Sequence, residues 1–391
     1  MKGETNVQGQ SAIAGIGETT YYKRGQSPKS EFQLAIEAIT KAVEDAGLEL
    51  KDIDGLSSYM ESRNDPARLS AALGMKNVAF AAQPWGDGGN GLAASVGIAD
   101  AAVSAGYAKN IVVFRALAQG QFGRFGQSKP ATHVSGNDTF SAVYGMLSPA
   151  HNCAIQTTRF MHEYGVTQDS LAEIALTANA HAQLNPRALR YGKPLTREEY
   201  HASRWITKPF HIYDCCPEND GAAAIVITSR ERARDLKQTP VPILAAAQGL
   251  GLRDGAPLHN GPGFPTSFNR EVGQQIWQRA GITPKDVQVA QFYENFTGPV
   301  LMAIAEMGFC EPEEINEFVA NGNIQGPDAK LPINTSGGNL AECYMHGFEL
   351  INEAVRQVRG DSTCQVADVQ HSLVVSGPGY RPGSAVLFSK D

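Results

Sequence analysis

The chain has 391 residues and carries 33 Lys+Arg against 40 Asp+Glu, a formal charge of −7, which speaks against a nucleic-acid binder that needs surplus cations. Its 42% apolar and 19% charged residues describe a globular chain of two or three units, and no apolar run of about 18 residues is present to span a membrane. Met1 to Gln10 is polar and lacks the apolar stretch of a secretory signal, and the 6 Cys show no C-x-x-C spacing, so the expectation is a cytoplasmic chain with reduced thiols and no zinc ribbon.

A strand is predicted over Ala12 to Ile16. Ser30 then precedes the helix-periodic run Phe32, Leu34, Ala35, Ile36, Ile39, Ala42, Val43, Ala46, with Gly47 as its stop. Gly15-Ile16-Gly17 resembles the start of a dinucleotide fingerprint, but Thr20 occupies the third glycine position and no helix follows directly. More informative is an internal echo. Ala46-Gly47-Leu48, Lys51-Asp52-Ile53 and Tyr59 return as Ala280-Gly281-Ile282, Lys285-Asp286-Val287 and Tyr293, at a constant offset (293 − 59 = 280 − 46 = 234). A weaker echo pairs Gly89-Asn90-Gly91-Leu92-Ala93 with Gly337-Gly338-Asn339-Leu340-Ala341, each leading through a helix to a β-branched strand, Ile111-Val112-Val113 or Leu373-Val374-Val375. Two echoes in one order point to a duplicated α/β unit, one half over 1–240 and the other over 241–391, built around a mostly parallel sheet.

The first half holds an insertion of roughly 117–217. It contains a Gly/aromatic loop (Gly120, Phe122, Gly123, Phe125, Gly126) and amphipathic helices near Asn152 to Tyr164 and Leu171 to Leu184. Such an insertion is expected to form a cap or substrate wall. Asp220-Gly221-Ala222-Ala223-Ala224-Ile225-Val226-Ile227 then reads as a buried strand. Four glycine- or turn-rich segments, at 88–91, 293–296, 334–347 and 376–379, are expected at strand–helix junctions, where backbone N–H groups can face a ligand oxygen. The 9 His form no H-x-x-x-H pair, so no metal is expected.

These features resemble the thiolase superfamily, in its sterol-carrier-protein-type branch, over nearly the whole chain from Ile13 to Phe388. The segments Asp220 to Ala224 and Asn334-Thr335-Ser336-Gly337-Gly338 are the most specific. The resemblance implies a five-layer αβαβα fold of two duplicated halves with an inserted loop domain that shapes an acyl-CoA pocket. Its departures carry the functional reading. The nucleophilic Cys of thiolases falls on Gly88, their second Cys on Ser376, the motif His on Tyr344, and the Asn/His of the Asn-Glu-x-Phe motif on Tyr293. An acyl-enzyme on a glycine is impossible, so covalent Claisen chemistry is unsupported.

The Tyr/Tyr, Cys-less pattern resembles the steroid side-chain-cleaving aldolases, which are carbon–carbon lyases of steroid degradation. It implies retro-aldol cleavage of a 17-hydroxy steroid acyl-CoA to a 17-ketosteroid plus propionyl-CoA or acetyl-CoA. No cofactor is expected beyond the CoA of the substrate. Tyr344 is expected to take the hydroxyl proton and Tyr293 to serve the enolate, provided that neighbours lower the phenol pKa. His346 and Asn295 are possible assistants, Gly377 and Gly379 the N–H donors to the enolate, with Pro378 between them lacking an N–H. Cys215 and Cys216 are read as packing residues. The resemblance further implies a homodimer that works with a DUF35 (zinc-ribbon/OB-fold) protein, with contact expected along the 117–137 loop. Two other readings stand beside it: an acyl-CoA acyltransferase using Ser376 or another Cys, and a non-catalytic acyl-CoA or lipid-binding subunit.

Overall fold

The computed structural model describes residues 9–59, 63–86, 88–124, 133–252, 261, 263–377 and 379–391; Phe125 and Gly126 of the Gly/aromatic loop, and Pro378, lie outside them. The strands are β1 (Ser11–Glu18), β2 (Tyr22–Lys23), β3 (Gly55–Ser57), β4 (Phe80–Ala82), β5 (Asn110–Ala118), β6 (Trp205–Thr207), β7 (Phe210–His211), β8 (Asn219–Ser229), β9 (Val241–Gly249), β10 (Val289–Phe292), β11 (His371–Ser376) and β12 (Gly383–Ser389). The helices are α1 (Glu31–Ala46), α2 (Pro66–Leu73), α3 (Gly91–Ser104), α4 (Pro149–Tyr164), α5 (Gln168–Ala182), α6 (Arg197–Ala202), α7 (Arg230–Ala233), α8 (Arg270–Ala280), α9 (Thr297–Glu306), α10 (Ile315–Val319) and α11 (Phe348–Arg359).

The echo in the sequence is an echo in hydrogen bonds. Helix α1 starts at a Ser30/Gln33 capping box and stops at Gly47 in the left-handed region; α8 stops at Gly281 in the same conformation. A single 3₁₀ turn follows each helix, Leu50–Asp52 or Pro284–Asp286. Each is closed by its own aspartate: the Glu49 N–H donates to Asp52 at 3.0 Å and the Thr283 N–H to Asp286 at 2.8 Å. Then come β3 and β10, followed by Tyr59 and Tyr293.

The strands run in the order β10-β11-β12-β9-β1-β8-β5-β3-β4, with β2 added beside β8. The sheet is mixed, not mostly parallel as the sequence suggested: β10/β11, β3/β4 and β3/β5 are parallel, whereas β1/β8, β5/β8, β11/β12 and β9/β12 are antiparallel. The segment joining β11 to β12 holds no crossover helix, so that pair has to reverse direction. It also means that the 376–379 segment joins two strands and is not a strand–helix junction.

Helix α1 covers one side of β1, β5 and β8, α8 covers β9 and β12, and α3 and α11 lie between the two strand groups and touch both. The order helix, strand, helix, strand, helix is the five-layer arrangement. Central α11 is buried from Phe348 to Val358 although it carries Glu349, Asn352, Glu353, Arg356 and Gln357. Those polar groups are paired: Arg356 bonds Glu18 at 2.7 Å and Asn352 donates to the Gly17 carbonyl at 3.1 Å. The residues between β5 and β8 supply α4 and α5, which pack on α9 and so wall the ends of β10 and β11. No helix of the described residues is long and apolar enough to cross a membrane.

Candidate active site

Tyr293 sits one residue beyond β10, and its N–H continues the parallel ladder by donating to the Val375 carbonyl at 2.9 Å. Asn334 grips the preceding residue on both sides: its Oδ1 accepts the Phe292 N–H at 2.7 Å and its Nδ2 donates to the Phe292 carbonyl at 2.8 Å. Tyr344 follows a π-turn over Gly338–Glu342, a local widening of the helix that is frequent at functional sites. Its N–H donates to Asn219 Oδ1 at 2.6 Å. Tyr59, the echo partner of Tyr293, donates its hydroxyl to the His346 carbonyl at 2.8 Å and so pins the turn from behind.

These supports bring the two phenols together. Tyr293 and Tyr344 are 1% and 7% exposed, and their hydroxyl oxygens lie 2.7 Å apart in a hydrogen bond. The rings meet at 63°, and the His346 ring stands edge-on to Tyr344 at 5.1 Å. Both phenols face a cavity of about 570 Å³, with Gly88, Asn295 and His346 also on its surface. Most of the remaining wall comes from the stretch between β5 and β8, including Ser148 to His151, Ile206 and Cys216, with Phe296 and Tyr380 completing it. That stretch is stitched to the Tyr293 turn, because the Cys216 N–H donates to the Asn295 carbonyl at 3.0 Å.

Gly88 and Gly89 play opposite parts. A Cβ at Gly88 would meet nothing within 4 Å, so the position opens on the cavity and is bare by residue type, not by crowding. A Cβ at Gly89 would lie 1.9 Å from Tyr293 Cε2, so the phenol ring occupies the space a side chain would need.

Burial dominates the electrostatics. It raises both phenols well above their usual value, the Tyr–Tyr contact adding to the rise at Tyr293 and opposing it at Tyr344. The condition attached to the two tyrosines, that neighbours lower the phenol pKa, is therefore not met: Arg115 pulls Tyr344 down but does not outweigh desolvation, and both rings hold their protons at neutral pH. Burial, with Arg115 and Arg63 adding to it, holds His346 well below the usual imidazole range, so the ring is neutral. Cys216 is pushed well above the usual thiol value by burial, leaving a protonated and weakly nucleophilic sulfur.

Of the residues singled out from sequence, Tyr293, Tyr344, His346, Asn295 and Gly88 gather at the cavity. Gly377 and Gly379 do not line it. The Gly379 N–H is committed to the Ser267 carbonyl at 3.1 Å, so it is not a donor to substrate. A Cβ at Gly377 would fall 2.3 Å from the Asn90 N, which makes that glycine a packing contact. Ser376 is fully buried, and its Oγ accepts the Ala93 N–H at 2.9 Å, tying β11 to the start of α3. Cys216, read as packing, is a wall residue, and Glu218 and Tyr380 join it there. Neither Glu218 nor Tyr380 was singled out from the sequence.

Comparison with known proteins identifies the family. Residues 258–387 match the thiolase C-terminal domain-like family. The chain is 40% identical to the 17-hydroxy-3-oxo-4-pregnene-20-carboxyl-CoA lyase of Mycobacterium tuberculosis, covering 97% of this chain and 100% of that one. The chain belongs to the steroid side-chain-cleaving aldolases of the thiolase superfamily. It is 38% identical to a steroid side-chain-cleaving aldolase of Thermomonospora curvata, over 98% of this chain and 99% of that one. Among solved structures, an Ltp2-ChsH2(DUF35) aldolase superposes with a TM-score of 0.91 at 37% identity, covering 98% and 99% of the two chains. A monomeric SCP2-thiolase like protein from Mycobacterium smegmatis, at 18% identity and a TM-score of 0.74 over 98% of this chain and 78% of that one, shares the fold.

Proposed function

We infer that the protein is a carbon–carbon lyase that cleaves the side chain of a 17-hydroxy steroid acyl-CoA by retro-aldol chemistry, releasing a 17-ketosteroid and propionyl-CoA or acetyl-CoA. The observation that carries this reading is the pair of phenol oxygens 2.7 Å apart at a cavity whose nucleophile position is a glycine.

Two neutral, hydrogen-bonded phenols suit a proton relay in which neither has to ionise. Tyr344 oxygen receives the proton of the substrate hydroxyl while its own proton passes to Tyr293. The C–O bond becomes a carbonyl as the Cα–Cβ bond breaks, and the electron pair moves onto the thioester as an enolate. In the same concerted shift Tyr293 gives its own proton to Cα as the enolate develops, so that each phenol oxygen carries one proton throughout. The proton lost by the hydroxyl is the one gained, in effect, by the new acyl-CoA, so no cofactor enters the balance. Asn295 is the donor we assign to the thioester oxygen, since its Oδ1 is held by the Phe296 N–H at 3.0 Å and the NH₂ is its donor end. His346, neutral, borders Tyr344 and helps to orient that ring.

The protein acts in this reading as a cytoplasmic homodimer with a DUF35-type partner. Support for a partner is the similarity to a DUF35-containing aldolase assembly, together with large exposed apolar side chains at Phe140, Val143 and Tyr144, just beyond the 117–137 loop. The test is incubation of the protein and a DUF35 partner with a 17-hydroxy steroid acyl-CoA, with detection of free ketone. Tyr344→Phe and Tyr293→Phe are each expected to lose at least about 100-fold in kcat while remaining folded. Rates within about threefold of wild type in either variant overturn the mechanism. A stable acyl adduct seen by mass spectrometry after acyl-CoA treatment overturns it as well.

A further inference from the structure

The two tyrosines come from separate elements, so something has to hold their relative position to within a few tenths of an ångström. Around them lies a continuous chain of buried bonds that the proton relay does not use. The Glu294 N–H, one residue after Tyr293, donates to Asn339 Oδ1 at 2.9 Å. Asn339 Nδ2 donates to Glu349 Oε1. Glu349 Oε2 accepts the Met345 N–H, one residue after Tyr344, at 3.2 Å. Asn339 is 0% and Glu349 1% exposed.

We propose that Asn339 and Glu349 are positioning residues, a two-side-chain bridge that locks the backbone behind Tyr293 to the backbone behind Tyr344 and so sets the phenol–phenol distance. The proposal rests on the reading of that pair as the reacting centre. Each part of the bridge has one workable polarity. Asn339 must present oxygen to the Glu294 N–H, and its amide nitrogen therefore needs an acceptor, which is a carboxyl oxygen of Glu349. Glu349 must offer two acceptors at once, one to an amide and one to a backbone N–H. The π-turn over Gly338–Glu342 is what places Asn339 between the two tyrosine-bearing segments, and Glu349 reaches it from the first turn of α11. Buried polar bonds of this kind fix geometry because the alternative, an unpaired group away from water, is costly.

The polarity argument supplies a test that a merely structural role would fail. Glu349→Gln sets an NH₂ against the NH₂ of Asn339, and whichever amide flips gives up one backbone N–H. Asn339→Leu removes both the acceptor of the Glu294 N–H and the donor to Glu349. Combining Asn339→Asp with Glu349→Gln restores every bond with the middle one reversed in direction. In the complex with the DUF35 partner, each single variant is expected to lose about 100-fold in kcat with KM changed less than about threefold, the size of effect a misplaced reacting group produces. The double variant is expected to recover to within about fivefold of wild type.

Crystal structures of the variants give a readout independent of turnover. The oxygen–oxygen separation should leave hydrogen-bond range in the singles and return in the double. Singles with wild-type kcat overturn the proposal, as does an unchanged separation. If a single variant does not fold, the double decides: recovered kcat and separation sustain the bridge, and a folded double as slow as a catalytically dead tyrosine variant overturns it. Failure of the wild type to cleave the steroid thioester would remove the functional reading, while the crystallographic separations would still judge the bridge.

Discussion

The turns at 88–91 and 337–347 hold echoing sequences, yet the molecule uses them differently. After Gly89-Asn90 the first turn runs straight into α3, and it offers the cavity only a bare Gly88. After Gly337-Gly338 the second widens into a π-turn and breaks at Cys343 in extended backbone; α11 begins only at Phe348. The residues inserted by that break, Tyr344 and His346, reach the cavity, and Asn339 and Glu349 brace them from inside. One copy of the repeat offers the cavity a bare backbone, the other its phenol and imidazole rings. Tyr293 joins the two, since its ring fills the space a Cβ would need both at Gly89 and at Gly347, where a Cβ would come within 2.5 Å of Cδ2.

The sharpest way to break this division is Gly89→Ala. The added methyl would overlap the Tyr293 ring at 1.9 Å, and the same ring edge is already packed close to Gly347. Expected are loss of at least about 100-fold in cleavage and destabilisation of about 1–3 kcal/mol, from overpacking. Gly88→Ala makes the control. Its side chain would project into open space, and the cost is the strain of φ +59° at a non-glycine residue, about 1–2 kcal/mol. Its kcat should stay within about tenfold of wild type. Denaturant melts and turnover assays on both variants check the contrast; equal behaviour would erase the distinction between the two glycines.

Local signals made much of this legible in the sequence. Ser30 and Gly47 bound α1 because capping chemistry sits within a few residues, and the constant offset of 234 announced a repeat that recurs in the hydrogen bonds of its two 3₁₀ turns. The tyrosine pair was legible through the pattern of changed catalytic residues. What stayed hidden is non-local. Ser267 captures the Gly379 N–H from a distant segment, which no reading of a Gly-x-Gly turn reveals. Cys216 became a wall only because the stretch between β5 and β8 folds back on the Tyr293 turn. Phenol acidity stayed open for the same reason, since burial depends on everything packed around the rings and not on their neighbours in sequence.

The second half also carries buried acids whose pKa values rise into the neutral range, and they should make stability fall with rising pH. Burial pushes Glu294 up to about 8, opposed by the Asn334 amide and backbone N–H groups, and pushes Glu342 up to about 7, opposed by Arg187. A carboxyl with a raised folded-state pKa binds its proton more tightly folded than unfolded. Its stabilisation is complete below the unfolded value near 4.5 and is lost as pH climbs towards the folded one. Between pH 6 and 8 the wild type should lose stability, and Glu294→Gln should remove up to about 2 kcal/mol of that loss. Thermal or urea melts across this range check it. A pH dependence unchanged in the variant would mean that Glu294 is already ionised in the folded protein.

The smallest expected effect separates the aldolase from an acyltransferase that would use the serine at the thiolase second-cysteine position. Ser376 Oγ accepts the Ala93 N–H at 2.9 Å in a fully buried site, so its role is to join β11 of one half to α3 of the other. A hydroxyl enclosed in that way cannot approach a thioester carbonyl at the phenol pair without unpacking the junction. Ser376→Ala should therefore cost about 1–2 kcal/mol for the unpaired N–H and leave kcat within about threefold of wild type. Turnover and denaturant titration on one preparation decide the matter. A large fall in kcat at nearly unchanged stability would put the serine in the chemistry and return the two turns to comparable catalytic standing.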